Sequence, residues 1–341
     1  MNSNAAFRGC LMAALLPVLS ACASSGIAPN VIVDSAHYNQ GHVLAFADAD
    51  DDSKDGGGRA APGAVAGTAA DVLASGGSDG FIRLWRLPDG APVGGWRAHS
   101  ESVYGLAFLQ RDRALLSAGY DGRLAVWRRD GQLERERITP SPITALTVDE
   151  PRDMVLTGHE DGRVRQWRLA DLALTAEWTL HRDYVRAVTL HRATDRFASS
   201  GADGQVFVWR AHEAPRALAA PPTDARDLVF LPDGGHLLGG GWFKLFRWEV
   251  ASGALKVLPT EHGGIVVSLH LGTDGRTLAS ISRQLDSAVY FLDPETGATV
   301  KRFQRHELCG EQVRLSANGR YLATTADDSS VRIWDLMEPK K

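Results

Sequence analysis

Histidine, serine or threonine, and aspartate side chains recur together along this chain, and these residue types can carry out nucleophilic catalysis. In a catalytic triad the aspartate orients the histidine, which takes the proton of the attacking hydroxyl. Such a triad needs one exposed nucleophile beside an oxyanion hole, whereas this chain holds five equivalent sets, which favours a structural role. The five sets are His37/Ser75/Asp79, His99/Ser117/Asp121, His181/Ser199/Asp203, His262/Ser282/Asp286 and His306/Thr324/Asp328.

The sets recur because the chain contains an internal repeat of 39 to 44 residues. Each copy contains alternating segments such as "VYGLAF" and "RLAVWR", and Asp-Gly turns that accept a positive φ separate them. Four short strands in about 42 residues are typical of one propeller blade. The seven copies end at Trp85, Trp127, Trp167, Trp209, Trp248, Leu292 and Trp334.

This pattern resembles the WD-repeat β-propeller family, and the last copy ends in "VRIWDL" with Trp334 and Asp335. The resemblance covers residues 31–338 and implies an all-β, seven-bladed β-propeller of four-stranded antiparallel blades. In this family each repeat gives its first strand to the preceding blade. We therefore expect residues 30–34 to pair with the strands between Val313 and Leu336, so that the N-terminal strand closes a propeller spanning 30–338 and removes its exposed edges.

The resemblance also implies a role for the recurring polar residues. In the family, aspartate contacts histidine, histidine contacts serine or threonine, and that hydroxyl contacts the indole N–H of tryptophan. The four complete tetrads that this implies are His37/Ser75/Asp79/Trp85, His99/Ser117/Asp121/Trp127, His181/Ser199/Asp203/Trp209 and His306/Thr324/Asp328/Trp334. Repeat six keeps three members and ends in Leu292, whereas repeat three keeps Thr157/Asp161/Trp167 and has Thr139 where the histidine would stand.

Repeat five has lost the histidine, the hydroxyl and the aspartate together. Pro221, Leu238 and Trp242 stand at those places, and only Trp248 remains. The joint loss is physically coherent, since a buried aspartate without its histidine would be costly. We expect Trp242 to cover apolar packing in this blade, with a role as an exposed anchor for a partner as the alternative.

The first residues are predicted to be a targeting signal. The apolar run 11–19 is far too short to span a bilayer but has the length of a signal-peptide core. "LSAC" at 19–22 resembles the lipobox of bacterial lipoproteins, which implies a signal peptide over 1–21, acyl chains on Cys22 and a short tether over 22–29. Ala23 in place of aspartate favours the outer membrane, with the body facing the periplasm. The alternative is an ordinary secretory signal, with Cys22 incidental.

The remaining composition argues against several kinds of site. A net charge of −4 offers no basic field for nucleic acid. The mature chain would keep Cys309 as a lone thiol, and no Cys/His spacing predicts a metal site or haem, so we expect no metal and no cofactor.

Residues 48–71 are an acidic, then Gly/Ala-rich insertion. Its Asp48, Asp50 and Asp52 begin like a calcium loop, but Ser53 and Arg59 replace the required glycine and glutamate, which favours a flexible solvated loop.

Partners of this family usually dock on the face built by the turns and links at one end of the blades. Tyrosine, tryptophan and arginine are enriched in interface hot spots. The sequence therefore predicts a non-enzymatic, membrane-anchored, monomeric periplasmic scaffold that binds another protein. The alternative is an enzyme or small-ligand binder using the central channel. The candidate partner-binding residues on the docking face, which we call the rim, are Tyr104, Tyr120, Tyr184, Arg186, Arg226 and Trp242.

Overall fold

The computed structural model describes residues 26–38, 40–47, 72–110 and 113–337. In these residues, 28 strands form seven four-stranded antiparallel sheets. The sheets are the blades of a ring, which confirms the predicted all-β, seven-bladed propeller. The predicted signal peptide, Cys22 and the insertion at 48–71 lie outside the described residues.

Each of the first four blades uses four consecutive strands, counted from the channel outward. Blade one has β2 Gly41–Phe46, β3 Val72–Gly77, β4 Phe81–Arg86 and β5 Pro92–Arg97. Blade two has β6 Val103–Leu109, β7 Ala114–Gly119, β8 Arg123–Arg128 and β9 Leu133–Ile138. Blade three has β10 Ile143–Asp149, β11 Met154–His159, β12 Arg163–Arg168 and β13 Leu174–Thr179. Blade four has β14 Val185–His191, β15 Arg196–Gly201, β16 Val206–Arg210 and β17 Arg216–Ala217.

The last three blades complete the ring. Blade five has β18 Asp227–Phe230, β19 His236–Gly241, β20 Lys244–Glu249 and β21 Leu255–Pro259. Blade six has β22 Ile265–Leu271, β23 Leu278–Arg283, β24 Val289–Leu292 and β25 Thr299–Phe303. Blade seven has β26 Gly310–Leu315, β27 Tyr321–Ala326, β28 Val331–Asp335 and, as its outer strand, β1 Val31–Val33.

Helical structure is minor in this fold. Two short 3-10 helices, Glu150–Arg152 and Arg192–Thr194, follow the first strands of blades three and four. Among the described residues there is no helix with the length and apolar character needed to cross a bilayer.

The N-terminal strand closes the ring, as expected. Strand β1 lies antiparallel to β28, with Val31 opposite Ile333 and Val33 opposite Val331. The first and last parts of the propeller therefore share one sheet, and closure protects edges that would otherwise be open to pairing with other chains.

The core is divided among the seven contacts between neighbouring blades. Each contact holds its own apolar cluster of buried side chains. Between blades seven and one, for example, Leu73 and Trp85 pack with Tyr321 and Ile333. A blade therefore buries its apolar face only against its neighbours, as in other repeat architectures.

A segment before β1 extends the closure beyond the expected strand. We call residues 26–30 the strap. Ile27 donates its N–H to the carbonyl of Arg302 (3.1 Å), and its own carbonyl accepts from the N–H of Gln304 (2.9 Å). Its side chain packs against the cluster between blades six and seven, which contains Phe303 and Trp334. Residues 26–29 of the tether predicted over 22–29 therefore lie against blade six, because the backbone pairing and packing of Ile27 hold them there.

Cys309 also differs from the expectation. Its side chain is buried, and it is disulfide-bonded rather than a lone thiol. Its partner lies outside the described residues.

Candidate interaction site at the channel mouth

The polar tetrads of blades one and two are complete. In blade two, His99 Nε2 lies 2.8 Å from Ser117 Oγ, and His99 Nδ1 lies 2.9 Å from Asp121 Oδ1. The indole N–H of Trp127 donates to Ser117 Oγ at 2.8 Å. Every member has a partner, so the buried chain stabilises the blade instead of leaving a polar group unsatisfied. The equivalent contacts in blade one join His37, Ser75, Asp79 and Trp85.

The tetrad hydroxyls cannot act as nucleophiles. Ser75, Ser117, Ser199 and Thr324 are 0% exposed, so no substrate can reach their oxygens. The carboxylates are held in the charged form. Burial alone would raise the pKa of Asp79, but its hydrogen bonds with His37 and with backbone amides hold that pKa well below its usual range.

In blades four and seven the structure brings together three of the predicted four members. The histidine contacts both aspartate and hydroxyl in each. The indole of Trp334 donates instead to the carbonyl of Ile27 (2.9 Å), because the strap passes over it. The indole nitrogen of Trp209 has no hydrogen-bond partner among the described residues, and its ring packs against Trp178 (5.3 Å) and Phe197 (5.7 Å). The tetrads predicted for these two blades are therefore triads.

Blade three contains a histidine that the sequence reasoning missed. His159 Nε2 lies 2.7 Å from Thr157 Oγ1, and Trp167 donates to the same hydroxyl at 2.7 Å. His159 Nδ1 lies 3.1 Å from the carbonyl of Ser141. This histidine comes from the end of the second strand, two residues after the threonine, and not from the link before the blade, where Thr139 stands.

The histidine can come from either of these two positions because both side chains would occupy the same buried space. In blades one, two and four a glycine occupies the position of His159, and a Cβ added there would meet the tetrad histidine at 2.3 to 2.4 Å. Where the usual histidine is missing, that space is open, and a histidine from the glycine position fills it. The signal was present in the sequence, since "TGHED" lacks the glycine that precedes the turn in "SGGSD", "SAGYD" and "SSGAD".

In blade six the expected serine is wrong. His262 Nε2 lies 2.8 Å from Ser280 Oγ, whereas Ser282 donates to Asp286. Ser280 lies opposite Tyr290, as Ser75 lies opposite Arg83 in blade one. The turn between the second and third strands of blade six is two residues longer than its counterparts, so counting back ten residues from Leu292 reached the wrong serine.

Blade five also departs from the expectation. Gly239, not Leu238, lies at the tetrad serine position, because its partner across the hairpin is Phe246, two residues before Trp248. The Phe246 ring fills the space of the missing histidine, since a Cβ on Gly241 would meet it at 2.3 Å.

The indole of Trp242 does not cover this packing. It is 39% exposed and lies beside the equally exposed Phe243, with ring centroids 6.0 Å apart. The expectation that Trp242 packs in the blade was therefore wrong, because Phe246 does so and the hairpin turn is too short to bring the indole inside.

The buried histidines predict a marked loss of stability in mild acid. Burial, as the largest cause, lowers the pKa of His42 and His159 to about 4 and that of His270 to about 3. An unfolded histidine binds its proton near pH 6.5, so between pH 6.5 and 4 the unfolded chain binds more protons than the folded one. We expect the unfolding free energy to fall by several kcal/mol from pH 7 to pH 5, at up to about 1.4 kcal/mol per pH unit for each histidine. Denaturant unfolding at both pH values measures it, and equal stability would contradict it.

At the start of the first strands, bulges turn a ring of side chains toward the mouth of the channel. Six of the seven first strands shift register near their start, at the second residue in five of them and at the third in blade six, which re-aims that side chain. Blade five has no such bulge, and Arg226 immediately precedes its first strand. The bulged residues are His42, Tyr104, Thr144, Arg186, Val267 and Glu311.

Charged side chains form two groups at this mouth. Asp224 pairs with both Arg186 (2.5 Å) and Arg226 (3.1 Å). Arg283 pairs with Glu311 (2.9 Å) and with Asp327 (3.2 Å). Burial raises the pKa of Glu311 despite the Arg283 ion pair, and the neighbouring Asp327 carboxylate adds to this. At this mouth Arg186 and Arg226 therefore share a single carboxylate, and burial favours the neutral form of Glu311 beside Arg283.

Tyrosines line the same mouth. Tyr104 stacks on His42 with ring centroids 5.2 Å apart and lies 5.8 Å from the ring of Tyr120. Tyr120 donates its hydroxyl to Glu160 at 2.6 Å. The guanidinium of Arg186 lies 4.7 Å from the ring centre of Tyr184.

The structure thus brings five of the six predicted rim residues to one opening. We call Tyr104, Tyr120, Tyr184, Arg186 and Arg226 the mouth surface. Trp242 instead contacts the ring of Phe243 and the hydroxyl of Thr223, and its backbone pairs with Ile265 at the start of blade six. Asp224, His42 and Arg283 belong beside the mouth surface and were missed, because their roles depend on contacts between blades. Among the described residues no group of His, Cys, Asp or Glu side chains could hold a metal ion.

Parts of this chain are similar to a known family model and to several known proteins. Residues 90–128, 173–210 and 298–335 match the family model described as WD domain, G-beta repeat. Striatin-4 from Mus musculus is 24% identical over 292 residues, covering 76% of this chain and 38% of striatin-4. Target of rapamycin complex subunit LST8 from Saccharomyces cerevisiae is 25% identical over 235 residues, covering 65% of this chain and 77% of that protein. The chain thus spans less than half the length of striatin-4.

Each matched segment begins at the fourth strand of one blade and ends with the third strand of the next. The same offset of one strand leaves blade seven without an outer strand of its own, and the N-terminal strand β1 takes that place. These three segments are thus similar to WD40 repeats, and each is offset by one strand from the blades of the propeller.

Proposed function

We propose that this chain is a membrane-anchored scaffold that binds another protein through the mouth surface. The observation that carries the proposal is the convergence of three tyrosines and two arginines from blades two, four and five on one partly open site. Tyrosine and arginine are the residue types that dominate protein interfaces. The buried tetrad hydroxyls favour a binding role over a hydrolytic one. Among the similar proteins, LST8 is named as the subunit of a complex, which is consistent with this role.

The anchor in this proposal is Cys22, and the body would face the periplasm from the outer membrane as a monomer. The lipobox at 19–22 supports it. The strap is held on the ring at Ile27. Gly26 follows Cys22 by four residues, so the two lie at most about 14 Å apart. The side of the ring between blades six and seven would then lie next to the bilayer.

A variant pair tests the partner site. We expect the triple variant Tyr104→Ala, Arg186→Gln, Arg226→Gln to lose at least about ten-fold in partner capture, since hot-spot residues are each worth 2 kcal/mol or more. The control Leu133→Ala, Arg128→Gln, Arg168→Gln removes one exposed apolar side chain and two exposed arginines away from the mouth. Cross-linking in intact cells followed by quantitative mass spectrometry measures both. Identical partner lists for the triple variant and the wild type would overturn the mouth surface.

A second measurement tests the anchor. Cys22→Ser should release the chain from the membrane fraction, and the intact mature chain should carry the mass of a lipid on Cys22. After removal of 1–21 only Cys22 and Cys309 remain, and one sulfur cannot both carry a lipid and pair with Cys309, so the anchor requires that the disulfide of Cys309 join it to a thiol outside this chain. A Cys22–Cys309 disulfide in non-reducing peptide maps, or an unchanged membrane fraction for Cys22→Ser, would overturn the anchor without affecting the mouth surface.

A further inference from the structure

A cavity of about 350 Å³ opens in the channel at the end away from the mouth surface. It is formed by the last residues of the first strands of blades six, seven, one and two. Its walls are mainly apolar side chains, namely Leu44, Phe46, Leu106, Phe108, Leu271 and Leu315. Its size falls at the lower end of the range of about 300 to 1,000 Å³ that small-molecule sites occupy. The two ends of the channel therefore differ, one charged and aromatic and the other apolar.

Two ionisable side chains, Arg314 and His270, line this apolar space, together with Thr273, whose hydroxyl donates to the carbonyl of Ala317. Arg314 Nη1 donates to the carbonyl of Val313 at 2.9 Å and lies 3.4 Å from Ser268 Oγ. Within the described part of the chain, no acceptor contacts its Nε or Nη2. The imidazole of His270 likewise has no hydrogen-bond partner among the described residues. Both groups therefore keep unused donor capacity on the cavity wall.

The nearest carboxylate does not neutralise Arg314 by contact. Asp227 accepts hydrogen bonds from the backbone N–H groups of Leu228 and Leu269, each at 2.8 Å. No ion pair joins Asp227 to Arg314 among the described residues, although Asp227 partly opposes the effect of burial, which lowers the pKa of Arg314. Burial and Arg314 together lower the pKa of His270 to about 3, so that His270 is neutral at pH 7 and can donate one hydrogen bond. An arginine without a contacting counter-ion in an apolar cavity favours an anionic ligand.

We propose that this cavity binds a small carboxylate with an apolar tail. The planar fork of Arg314 matches the two oxygens of a carboxylate, and the imidazole of His270 offers a further donor. The leucine and phenylalanine walls would remove the tail from water, which contributes about 0.8 kcal/mol for each buried CH₂ group. A cationic head group would be repelled by Arg314, and a neutral one would leave the guanidinium uncompensated. This site is separate from the mouth surface and does not depend on the proposed scaffold function.

Titration calorimetry with three eight-carbon probes tests the proposal on the full chain carrying Cys22→Ser. Octanoate is expected to bind at one site, octanol at least about ten-fold more weakly, and octylamine not at all, because a hydrogen bond to a charged group contributes about 1.5 to 3 kcal/mol. Arg314→Met should weaken octanoate at least about ten-fold and abolish the preference over octanol. Ala107→Trp, which fills the cavity from its wall, should abolish binding of all three probes.

The controls separate loss of the site from loss of the fold. Arg128→Met removes an exposed arginine of blade two and should leave octanoate binding unchanged. If Arg314→Met does not fold, the test uses Arg314→Lys and Ala107→Trp instead. Arg314→Lys keeps the charge but loses the planar fork, so it should weaken octanoate binding, and Ala107→Trp should abolish it. Octanol binding as tightly as octanoate, octanoate binding that survives Ala107→Trp, or no binding of octanoate at all would each overturn the proposal.

Discussion

Deleting residues 26–33 should lower the unfolding free energy of the entire propeller by about 4 kcal/mol or more. The deletion removes the half-buried side chains of Ile27, Val31 and Val33, each worth about 1 to 2 kcal/mol, and the backbone pairing with β28. It also exposes β28 as an open edge. Because β1 joins the two ends of the ring, every blade depends on it. Thermal unfolding followed by circular dichroism should show the midpoint falling by roughly 6 °C or more.

A deletion of the same length within the insertion, residues 56–63, is the matched control and should leave the midpoint unchanged. Hydrogen exchange distinguishes a global effect from a local one. We expect protection to fall in all seven blades. Loss of protection confined to residues 310–335, or an unchanged midpoint, would contradict the view that the strap and β1 hold the whole ring.

The second large effect is expected from exchanging the histidine of blade three. Thr139→His alone should cost about 2 to 4 kcal/mol, because a second imidazole would compete with His159 for one buried space and the two hydrogen bonds of Thr139 would be lost. His159→Gly alone should cost a similar amount, because it leaves a cavity beside Thr157 and Trp167. The double variant recreates the arrangement of blade two and should recover at least about 2 kcal/mol of the summed costs.

Denaturant unfolding of the four proteins in this cycle gives the coupling energy. The reverse exchange in blade four, His181→Thr with Gly201→His, is the matched test, since it copies the arrangement of blade three. A Cβ on Gly201 would meet His181 at 2.4 Å, so Gly201→His alone should be severely destabilising. Strictly additive costs in both blades would mean that the two positions do not share one space.

The phase of the repeats could be predicted from the sequence, because it depends on local patterns. Turn residues, alternating strands and the terminal tryptophans recur at nearly constant spacing, and that was enough to place all seven blades. The same reasoning failed where a turn changes length. In blade six two added residues moved the partner of His262 from Ser282 to Ser280, and in blade five a shorter turn placed Gly239 where Leu238 was expected.

The candidate site was predictable only in part, for a related reason. Tyr104, Arg186 and Arg226 could be assigned to one face from their places at the start of strands. The pairing of Arg186 with Asp224 and the stacking of Tyr104 on His42 could not, because these contacts join different blades.

The sequence by itself determined the number of blades, the order of their strands, the closure by β1 and the side chains that fill each blade. Those features follow from periodicity and from short-range turn chemistry. Only the tertiary structure decided which groups meet across the ring. It replaced the hydroxyl partner of Trp334 with the carbonyl of Ile27, and it left Trp242 exposed. It also placed Arg314 and His270 on one apolar cavity. The physical reason is that hydrogen bonds and burial are completed by whichever neighbour lies nearest in space, and closing the ring brings together residues that are distant in the chain.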